Sequence, residues 1–189
     1  MPWSFALPQA VFASPLFAVG TPIVGGTAIA LLTNPDPRTG QGTRPRTPIA
    51  SCGNPLLAPP GWLFAPAWTI LYGLMGYASH HATTVAHESL SLAVRDSNAT
   101  AQTLYTTQLA LNFLWMPLFF GVGRPAAALG DMALLIGNVS LLLANWWSAD
   151  RTAFWLMTPY YAWLGYACYL NAGTGYLNGW TLPGKKRSD

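Results

Sequence analysis

The sequence predicts an all-α integral membrane protein, folded as a bundle of five transmembrane helices. Only 8% of its 189 residues are charged and 52% are hydrophobic, whereas soluble domains carry roughly 25% charged residues. Five apolar segments are long enough to cross the hydrocarbon, which takes about 20 helical residues. The net charge of +3 is small and forms no basic stripe, so we expect no nucleic-acid partner.

The five segments follow one another with little polar sequence between the last three. We expect the helices at residues 10–32, 61–86, 102–120, 125–147 and 152–177. The first segment contains several glycines and alanines, which allow close contact between membrane helices. Its two prolines, Pro15 and Pro22, are expected to kink it.

The connections between the segments differ in length and character. Residues 33–60 form a long loop rich in Pro, Thr, Gly and Arg, which predicts irregular structure. Residues 87–101 are polar and predict a short loop. The connections at 121–124 and 148–151 are short enough to force the helices that they join to run antiparallel. Residues 178–189 form a basic tail.

The basic residues of the connections predict the orientation in the membrane. Seven of them lie in the first loop, the third loop and the tail, against two, Arg95 and Arg151, on the other side. Cytosolic loops carry the excess of Lys and Arg, so we expect the loop 33–60 and the C-terminus in the cytosol. No Lys or Arg precedes the first apolar run, which we therefore expect to remain in the mature protein.

The second segment carries an aromatic pair that lipid alone does not require. Trp68 and Tyr72 are four residues apart, so they share one face of a helix. The pair either packs against other helices or forms part of a binding site. The residue spacing does not decide between these two interpretations.

The third segment places two amides and a tryptophan on one face. Gln108, Asn112 and Trp115 are spaced at i, i+4 and i+7. Amides are costly in a membrane unless they find partners, so these side chains should face the bundle interior. They serve either as hydrogen bonds between helices or as polar contacts for a ligand.

The fourth and fifth segments add a carboxylate and an aromatic face. Asp131 is the only acidic residue within the apolar segments; such a residue suggests a functional site, although it could also pair with Arg124 or reach interfacial water. In the fifth segment Trp163, Tyr166 and Leu170 share a face, with Ala167 between them. Flat and small side chains together suggest a slot for a ligand.

The sequence contains no motif of a hydrolase, a phosphoryl transferase or a metalloenzyme. It has no GxSxG, Walker or HExxH pattern and no paired catalytic carboxylates. The three histidines lack a Cys or carboxylate that would complete a metal set, so we expect no metal site, no required cofactor and no catalytic residues. Cys52 in a loop and Cys168 in a membrane helix are not expected to form a disulfide.

Four sequence blocks nevertheless resemble one membrane-protein family, the tryptophan-rich sensory protein or translocator protein family, also known as peripheral-type benzodiazepine receptors. The blocks are NPLLAPPGWLFAPAWTILYGLMGYAS at 54–79, QLALNFLWMPLFFGVGRP at 108–125, ALGD at 128–131 and PYYAWLGYACYLN at 159–171. They occupy four of the five segments in the family's order and spacing.

The resemblance implies a five-helix bundle that forms a homodimer and binds porphyrins, haem and sterols, as well as synthetic isoquinoline carboxamides and benzodiazepines. It also implies a pocket inside the bundle that is covered by the first loop. The eukaryotic members of the family favour the mitochondrial outer membrane over the endoplasmic reticulum. Some bacterial members degrade protoporphyrin in light, which makes an enzymatic function an alternative.

The resemblance also implies which residues line the pocket. Matched position by position, the family's pocket residues correspond to Trp68, Asn112, Trp115, Leu134, Trp163, Ala167 and Leu170. Tyr72, on the same helix face as Trp68, joins this candidate set. Three functions stay open: a protein that binds porphyrin, haem or sterol for transport or sensing, a light-dependent porphyrin-degrading enzyme, and a scaffolding membrane protein whose aromatic residues only pack.

Overall fold

A computed structural model describes residues 5–33 and 55–180, and within these ranges it is helical with no strand. The six helices are α1 (Gln9–Ala13), α2 (Pro15–Thr33), α3 (Phe64–Glu88), α4 (Leu92–Met116), α5 (Pro125–Ala149) and α6 (Arg151–Leu177). A single 3-10 turn, Gly61–Leu63, leads into α3, and a π-helical turn, Pro117–Gly121, follows α4.

Five long helices form the bundle. Helix α2 packs on α3, α3 on α6, α6 on α5 and α5 on α4, and α4 closes the ring against α2 and α3. Helices α3, α4 and α5 have 25 residues each. At 1.5 Å per residue each is about 37 Å long, more than the roughly 30 Å of a bilayer's hydrocarbon core. The predicted all-α five-helix bundle is confirmed.

The bundle has two ends, which we name by the chain segments found there. The first-loop end contains the end of α2, the start of α3, the end of α4, the start of α5 and the end of α6. The N-terminal end contains α1 and the short α3–α4 and α5–α6 connections. Most of the predicted loop 33–60, including Cys52, and the basic residues at 185–187 lie outside the described residues.

Pro15 interrupts the first predicted helix. Residue Ser14, which precedes it, is extended at φ −109° and ψ 125°, and it separates α1 from α2. The cause is steric, because the proline ring disfavours helical backbone at the residue before it. Pro22 and Pro159 lie inside α2 and α6, respectively.

Helix α4 begins at Leu92, ten residues before the predicted start at 102. The segment predicted as a loop is therefore largely helical, and only residues 89–91 connect α3 to α4. These extra turns are polar and pack on neighbouring helices: Ala101 is buried, and Asn145 Nδ2 of α5 donates to Ser97 O at 3.2 Å. A search for apolar runs does not detect helical turns of this kind.

Two of the helices, α2 and α5, are long and apolar enough to be identified as membrane spans from composition alone among the described residues. The inner faces of α3 and α4 carry buried polar side chains such as Ser79, Thr83 and Gln108. These residues lower the average apolarity of the helices that carry them. Their burial is compatible with a bundle whose polar groups face inward.

Small residues bring α2 and α3 into close contact. A Cβ added at Gly76 of α3 would lie 2.8 Å from the Ala18 carbonyl carbon and from Val19 Cα, both backbone atoms of α2. Gly26 of α2 lies against the ring of Tyr72, where an added Cβ would be 2.7 Å from Cζ. The predicted close contact of the first segment therefore falls on its interface with α3.

Polar contacts join the helices at the N-terminal end. His81 Nδ1 of α3 lies 2.6 Å from Asp150 Oδ2. The other Asp150 oxygen accepts hydrogen bonds from the Thr152 and Ala153 backbone N–H groups, which caps the start of α6. His80 Nδ1 lies 2.8 Å from Phe12 O of α1. These contacts hold α1, α3 and α6 together at one end of the bundle.

Candidate ligand-binding site

An aromatic cluster lies between α3 and α6, toward the first-loop end. Trp68 of α3 contacts Tyr72 at 5.3 Å between ring centroids, Tyr160 of α6 at 6.3 Å and Trp163 of α6 at 6.4 Å. The Trp68 and Trp163 rings meet edge to face, with an interplanar angle of 83°. The structure thus brings together Trp68, Tyr72 and Trp163, three of the predicted site residues.

The cluster extends toward the first-loop end. Phe64 contacts Trp163 edge to face at 6.0 Å, and Trp163 contacts Tyr166 at 5.6 Å. Trp68 and Trp163 are only partly buried, whereas Tyr160 is fully buried. The two tryptophans therefore form the outer part of the cluster and Tyr160 its inner wall.

Asn112 of α4 joins this cluster through a polar bridge across three helices. The Tyr72 hydroxyl donates to Asn112 Oδ1 at 2.8 Å, and Asn112 Nδ2 donates to the Tyr160 hydroxyl at 3.1 Å. All three side chains are buried. The bridge favours the interpretation of Asn112 as a hydrogen-bonding residue between helices, because both ends of its amide already have protein partners.

Gln108 lies one turn of α4 deeper than Asn112 and is less well satisfied. Its Nε2 donates to the Met75 sulfur at 3.7 Å, while its Oε1 has no hydrogen-bond partner in the described part of the chain. The side chain is fully buried. The two amides that share a face in the sequence thus have different environments.

Trp115 packs in a separate cluster. Its ring stacks on Phe119 at 5.1 Å with an interplanar angle of 16°, and meets Phe120 edge to face at 5.6 Å. These residues pack with Ala128 near the end of α4 and the start of α5. No ring contact joins Trp115 to the Trp68 cluster among the described residues, although the indole is partly buried.

The chain before α3 crosses α6 beside the aromatic cluster. The Tyr166 hydroxyl donates to Leu57 O, and the Tyr169 hydroxyl donates to Leu56 O, both at 2.7 Å. Leu57 adopts a left-handed backbone conformation, with φ 69°. We call residues 55–60 the strap, because two tyrosines of α6 hold this segment next to Trp163.

The remaining predicted site residues differ in their surroundings. Ala167 and Leu170 are partly buried on α6, in the stretch that faces the strap and the start of α5. Leu134 of α5 is 66% exposed, on the outside of this bundle. The structure therefore does not bring Leu134 to the aromatic cluster of a single chain.

Several buried polar atoms near the first-loop end lack hydrogen-bond partners within the described ranges. They are two donors, Trp115 Nε1 and Trp163 Nε1, and three acceptors, Asn171 Oδ1 and both carboxylate oxygens of Asp131. Buried polar groups normally have partners. Each of these atoms therefore marks a position where a polar ligand atom or water could bind.

Comparison with known proteins places the chain in a family. A sequence model described as the TspO/MBR family matches residues 18–177, which include all five long helices except the first residues of α2. The chain belongs to the TspO/MBR family. The resemblance found in its sequence blocks is thus confirmed.

Relatives from eukaryotes and an archaeon are similar to this TspO/MBR protein. The translocator protein homolog of Schizosaccharomyces pombe is 43% identical over 139 residues, which cover 74% of this chain and 82% of that protein. The human translocator protein is 35% identical over 65% of this chain and 69% of its own length. The tryptophan-rich protein TspO of Archaeoglobus fulgidus is 36% identical over 70% and 81%, respectively.

The sequence did not single out Tyr160, which completes the polar bridge of this TspO/MBR bundle. The aromatic face predicted for the fifth segment contains Trp163 and Tyr166, whereas the most buried face of α6 contains Met157, Tyr160 and Leu164. The i, i+3 and i+7 spacing of these three residues is also helical. The sequence signal that could have identified Tyr160 was its position between two apolar residues, Met157 and Leu164, on one face of the helix.

A cavity of about 380 Å³ lies at the opposite, N-terminal end of this TspO/MBR bundle. It is lined mainly by polar side chains, namely Gln9, His87, Arg95, Asn98 and Gln102 together with Ala86 and Ala99. Gln9 Nε2 and His87 Nε2 are 3.0 Å apart at its edge. None of the predicted site residues lines this cavity.

Proposed function

We propose that this protein binds flat lipophilic molecules, with porphyrins, haem and sterols as the ligand classes, between α3, α4 and α6, and that it transports or senses them. The observation that supports this proposal best is the Trp68–Trp163 contact above the Tyr72–Asn112–Tyr160 bridge. The names of its relatives, translocator protein and TspO, are consistent with such a role.

The chemistry of the cluster suits a flat ligand. Aromatic rings prefer offset-stacked or edge-to-face contacts, and Trp68 and Trp163 offer both faces and edges at a bundle interior. Ligand pockets typically combine apolar and aromatic walls with a few polar groups that fix orientation. The indole N–H of Trp163, which has no partner among the described residues, is one such group.

Binding would require the cluster to open. The rings of Trp68, Tyr160 and Trp163 are already in contact, so a ligand must separate them before it can lie between them. The strap lies next to these rings and is held to α6 through two tyrosine hydroxyls, so those two hydrogen bonds would have to break if it moved aside. The polar bridge below the rings would remain as a fixed floor.

Titration with protoporphyrin IX tests the proposal. The purified protein in detergent micelles is mixed with the porphyrin while tryptophan fluorescence and the porphyrin absorption band are followed. We expect saturable quenching at micromolar ligand, and weaker binding by Trp68→Leu and Trp163→Leu. Trp155→Leu, at a position 62% exposed on α6, is the matched control. No saturable signal in the wild type would leave only the scaffold function.

Light-dependent degradation of a bound porphyrin is the second candidate. It is favoured by the proximity of the two indoles, whose centroids are 6.4 Å apart at the edge of the cluster. Illumination of the complex should then bleach the porphyrin faster in the wild type than in a Trp68→Phe, Trp163→Phe double variant. Equal bleaching rates at equal ligand occupancy would exclude this enzymatic function.

The same proposal includes a cellular setting. We infer a multi-pass protein of the mitochondrial outer membrane, with its C-terminus in the cytosol and a homodimer as the assembled form. The charge bias of the connections supports the orientation. A tag placed after Asp189 should be removed by protease added outside intact mitochondria; a protected tag would contradict the orientation. Cross-linking in native membranes tests the dimer.

A further inference from the structure

Asp131 of α5 is a buried carboxylate without a hydrogen-bond partner among the described residues. Its side chain is only 6% exposed, and neither oxygen has a hydrogen-bond partner in the described part of the chain. Arg124, the nearest basic residue in sequence, is exposed and forms no ion pair with it among the described residues. The structure therefore does not support the pairing with Arg124 that the sequence left open.

An isolated carboxylate of this kind is costly. Transfer of a charged group out of water requires pairing or hydrogen bonding to compensate, and ionisable residues inside membrane helices are rare unless they serve a function. Nothing in the packing of α5 requires an acid at this position, because its inward neighbours Ala128, Met132 and Leu135 are apolar. The carboxylate thus calls for a partner that is not part of the described protein.

The hydrogen bonds between helices show the depth of Asp131 in the bundle. Asn138 Nδ2 of α5 donates to Leu104 O of α4. Because the two helices are antiparallel, two turns toward the first-loop end bring Asp131 to the level of Leu111, next to Asn112. Asp131 and Asn112 therefore lie at the same depth in the bundle.

At the same depth, the neighbouring helix α6 carries site residues. Asn171 Nδ2 donates to Pro125 O, and Ser140 Oγ lies 2.9 Å from the Tyr161 hydroxyl. Asp131 lies between these two contacts on α5, so its level on α6 falls between Tyr161 and Asn171. That stretch contains Trp163 and Ala167.

Other buried polar groups toward the first-loop end offer donors and acceptors as well. The Tyr160 hydroxyl accepts its hydrogen bond from Asn112, so its own proton remains free to donate among the described residues. Trp115 Nε1, Trp163 Nε1 and Asn171 Oδ1 are also buried without partners in the described ranges. Asp131 is the only one of these groups that can carry a charge at neutral pH.

We propose that Asp131 is the polar anchor of the ligand site, and that it selects flat lipophilic molecules that carry a cationic nitrogen or an N–H donor. The ring system would lie against the tryptophans while the nitrogen meets the carboxylate. A ligand that places a carboxylate in this position would be repelled. This inference rests on the proposed function, because it assumes that the ligand occupies the site between α3, α4 and α6 and extends from the Trp68–Trp163 cluster to Asp131 of α5.

Three fluorescent probes of the same tricyclic size test the selection. They are 9-aminoacridine, which is a cation at neutral pH, 9-methylanthracene, which is neutral, and 9-anthracenecarboxylate, which is an anion. Each is titrated into the full-length protein in uncharged detergent micelles, with micelles alone as the blank for partitioning. Displacement by protoporphyrin IX establishes that a probe occupies the porphyrin site.

We expect the wild type to bind the cation most tightly and the anion least. Asp131→Asn should lower the affinity for 9-aminoacridine by about tenfold or more, since hydrogen bonds to charged groups are stronger than neutral ones. The affinity for 9-methylanthracene should stay within about twofold of the wild-type value, because the neutral probe makes no such bond. Asp96→Asn, at an exposed position of α4, is the matched control and should change none of the three.

Two outcomes would overturn the inference. One is an unchanged ratio of cation to neutral affinity in Asp131→Asn, and the other is an equal loss of all three probes in a variant whose melting temperature matches the wild type. Asp131→Glu provides a second measurement, because it keeps the charge and should retain the preference for the cation. If protoporphyrin IX itself does not bind the wild type, the proposed function fails; if it binds but the probes show no selection, only this inference fails.

Discussion

The substitution Gly76→Ala should destabilise the bundle, although alanine is the better helix former. A Cβ at this position would lie 2.8 Å from two backbone carbons of α2, whereas carbon atoms pack best at about 3.5 Å or more. Because backbone atoms cannot rotate away, and because the Ala18 carbonyl oxygen lies closer still, α2 must move away by at least about 0.7 Å. Overpacking of this kind typically costs about 1–3 kcal/mol, against a gain in helix propensity of about 1 kcal/mol.

Gly73, one turn earlier on the same helix, is the matched control. A Cβ there would meet nothing within 4 Å, so Gly73→Ala should keep the propensity gain of up to about 1 kcal/mol. The two alanine variants should therefore differ by about 1–3 kcal/mol, or roughly 3–10 °C in melting temperature for a chain of this size. Thermal unfolding in detergent, followed by circular dichroism, measures the difference.

The contrast between the two variants is what tests the packing. If Gly76→Ala melts at or above the temperature of Gly73→Ala, helices α2 and α3 are not in backbone contact at this point. In that case the arrangement of α2 against the site would also be in doubt, because Gly26, on the same interface, holds the ring of Tyr72.

Three further predictions concern the site and its supports. Asn112→Leu removes both hydrogen bonds of the polar bridge and leaves two buried tyrosine hydroxyls without this partner. It should lower the unfolding free energy by about 2 kcal/mol, which denaturant unfolding in micelles measures. The Tyr166→Phe, Tyr169→Phe double variant removes both hydrogen bonds that hold the strap to α6. It should increase the rates of protoporphyrin association and dissociation, measured by stopped-flow fluorescence quenching. Unchanged rates would show that the strap does not control access to the site. Asp150→Ala removes the N-terminal cap of α6 and the contact with His81. It should lower the unfolding free energy by about 1–2 kcal/mol. A decrease of less than about 0.5 kcal/mol would argue that Asp150 does not cap the helix.

The number and order of the long helices could be predicted because membrane solvation leaves a strong signal in composition. Apolar runs and short charged connections identify the helices wherever lipid contacts most of their surface. The start of α4 could not be predicted in this way, since Leu92 opens a polar helical segment that packs against α5 and α3 outside the apolar run. A search for apolar runs detects only the part of a helix that crosses the hydrocarbon core, and a helix can extend beyond that core.

The sequence predicted the kinds of residues at the candidate site better than the contacts that those residues make with one another. Trp68, Tyr72 and Trp163 lie in one cluster, but Tyr160, which the sequence did not single out, completes the bridge to Asn112. Which face of α6 points inward depends on its rotation, and a helix that is aromatic on several faces does not specify that rotation by periodicity. Leu134 shows the same limit, because its exposed position follows from the orientation of α5.

The central claim, that a flat ligand binds at Trp68 and Trp163, is tested most directly by the indole N–H resonances of the nine tryptophans. They can be recorded in ¹⁵N-labelled protein in micelles and assigned by single Trp→Phe variants. Saturating protoporphyrin IX should shift or broaden the resonances of Trp68 and Trp163, and leave Trp147 and Trp155, which lie at the exposed N-terminal end, unchanged. Shifts confined to Trp147 and Trp155, or no shifts at all, would contradict the claim.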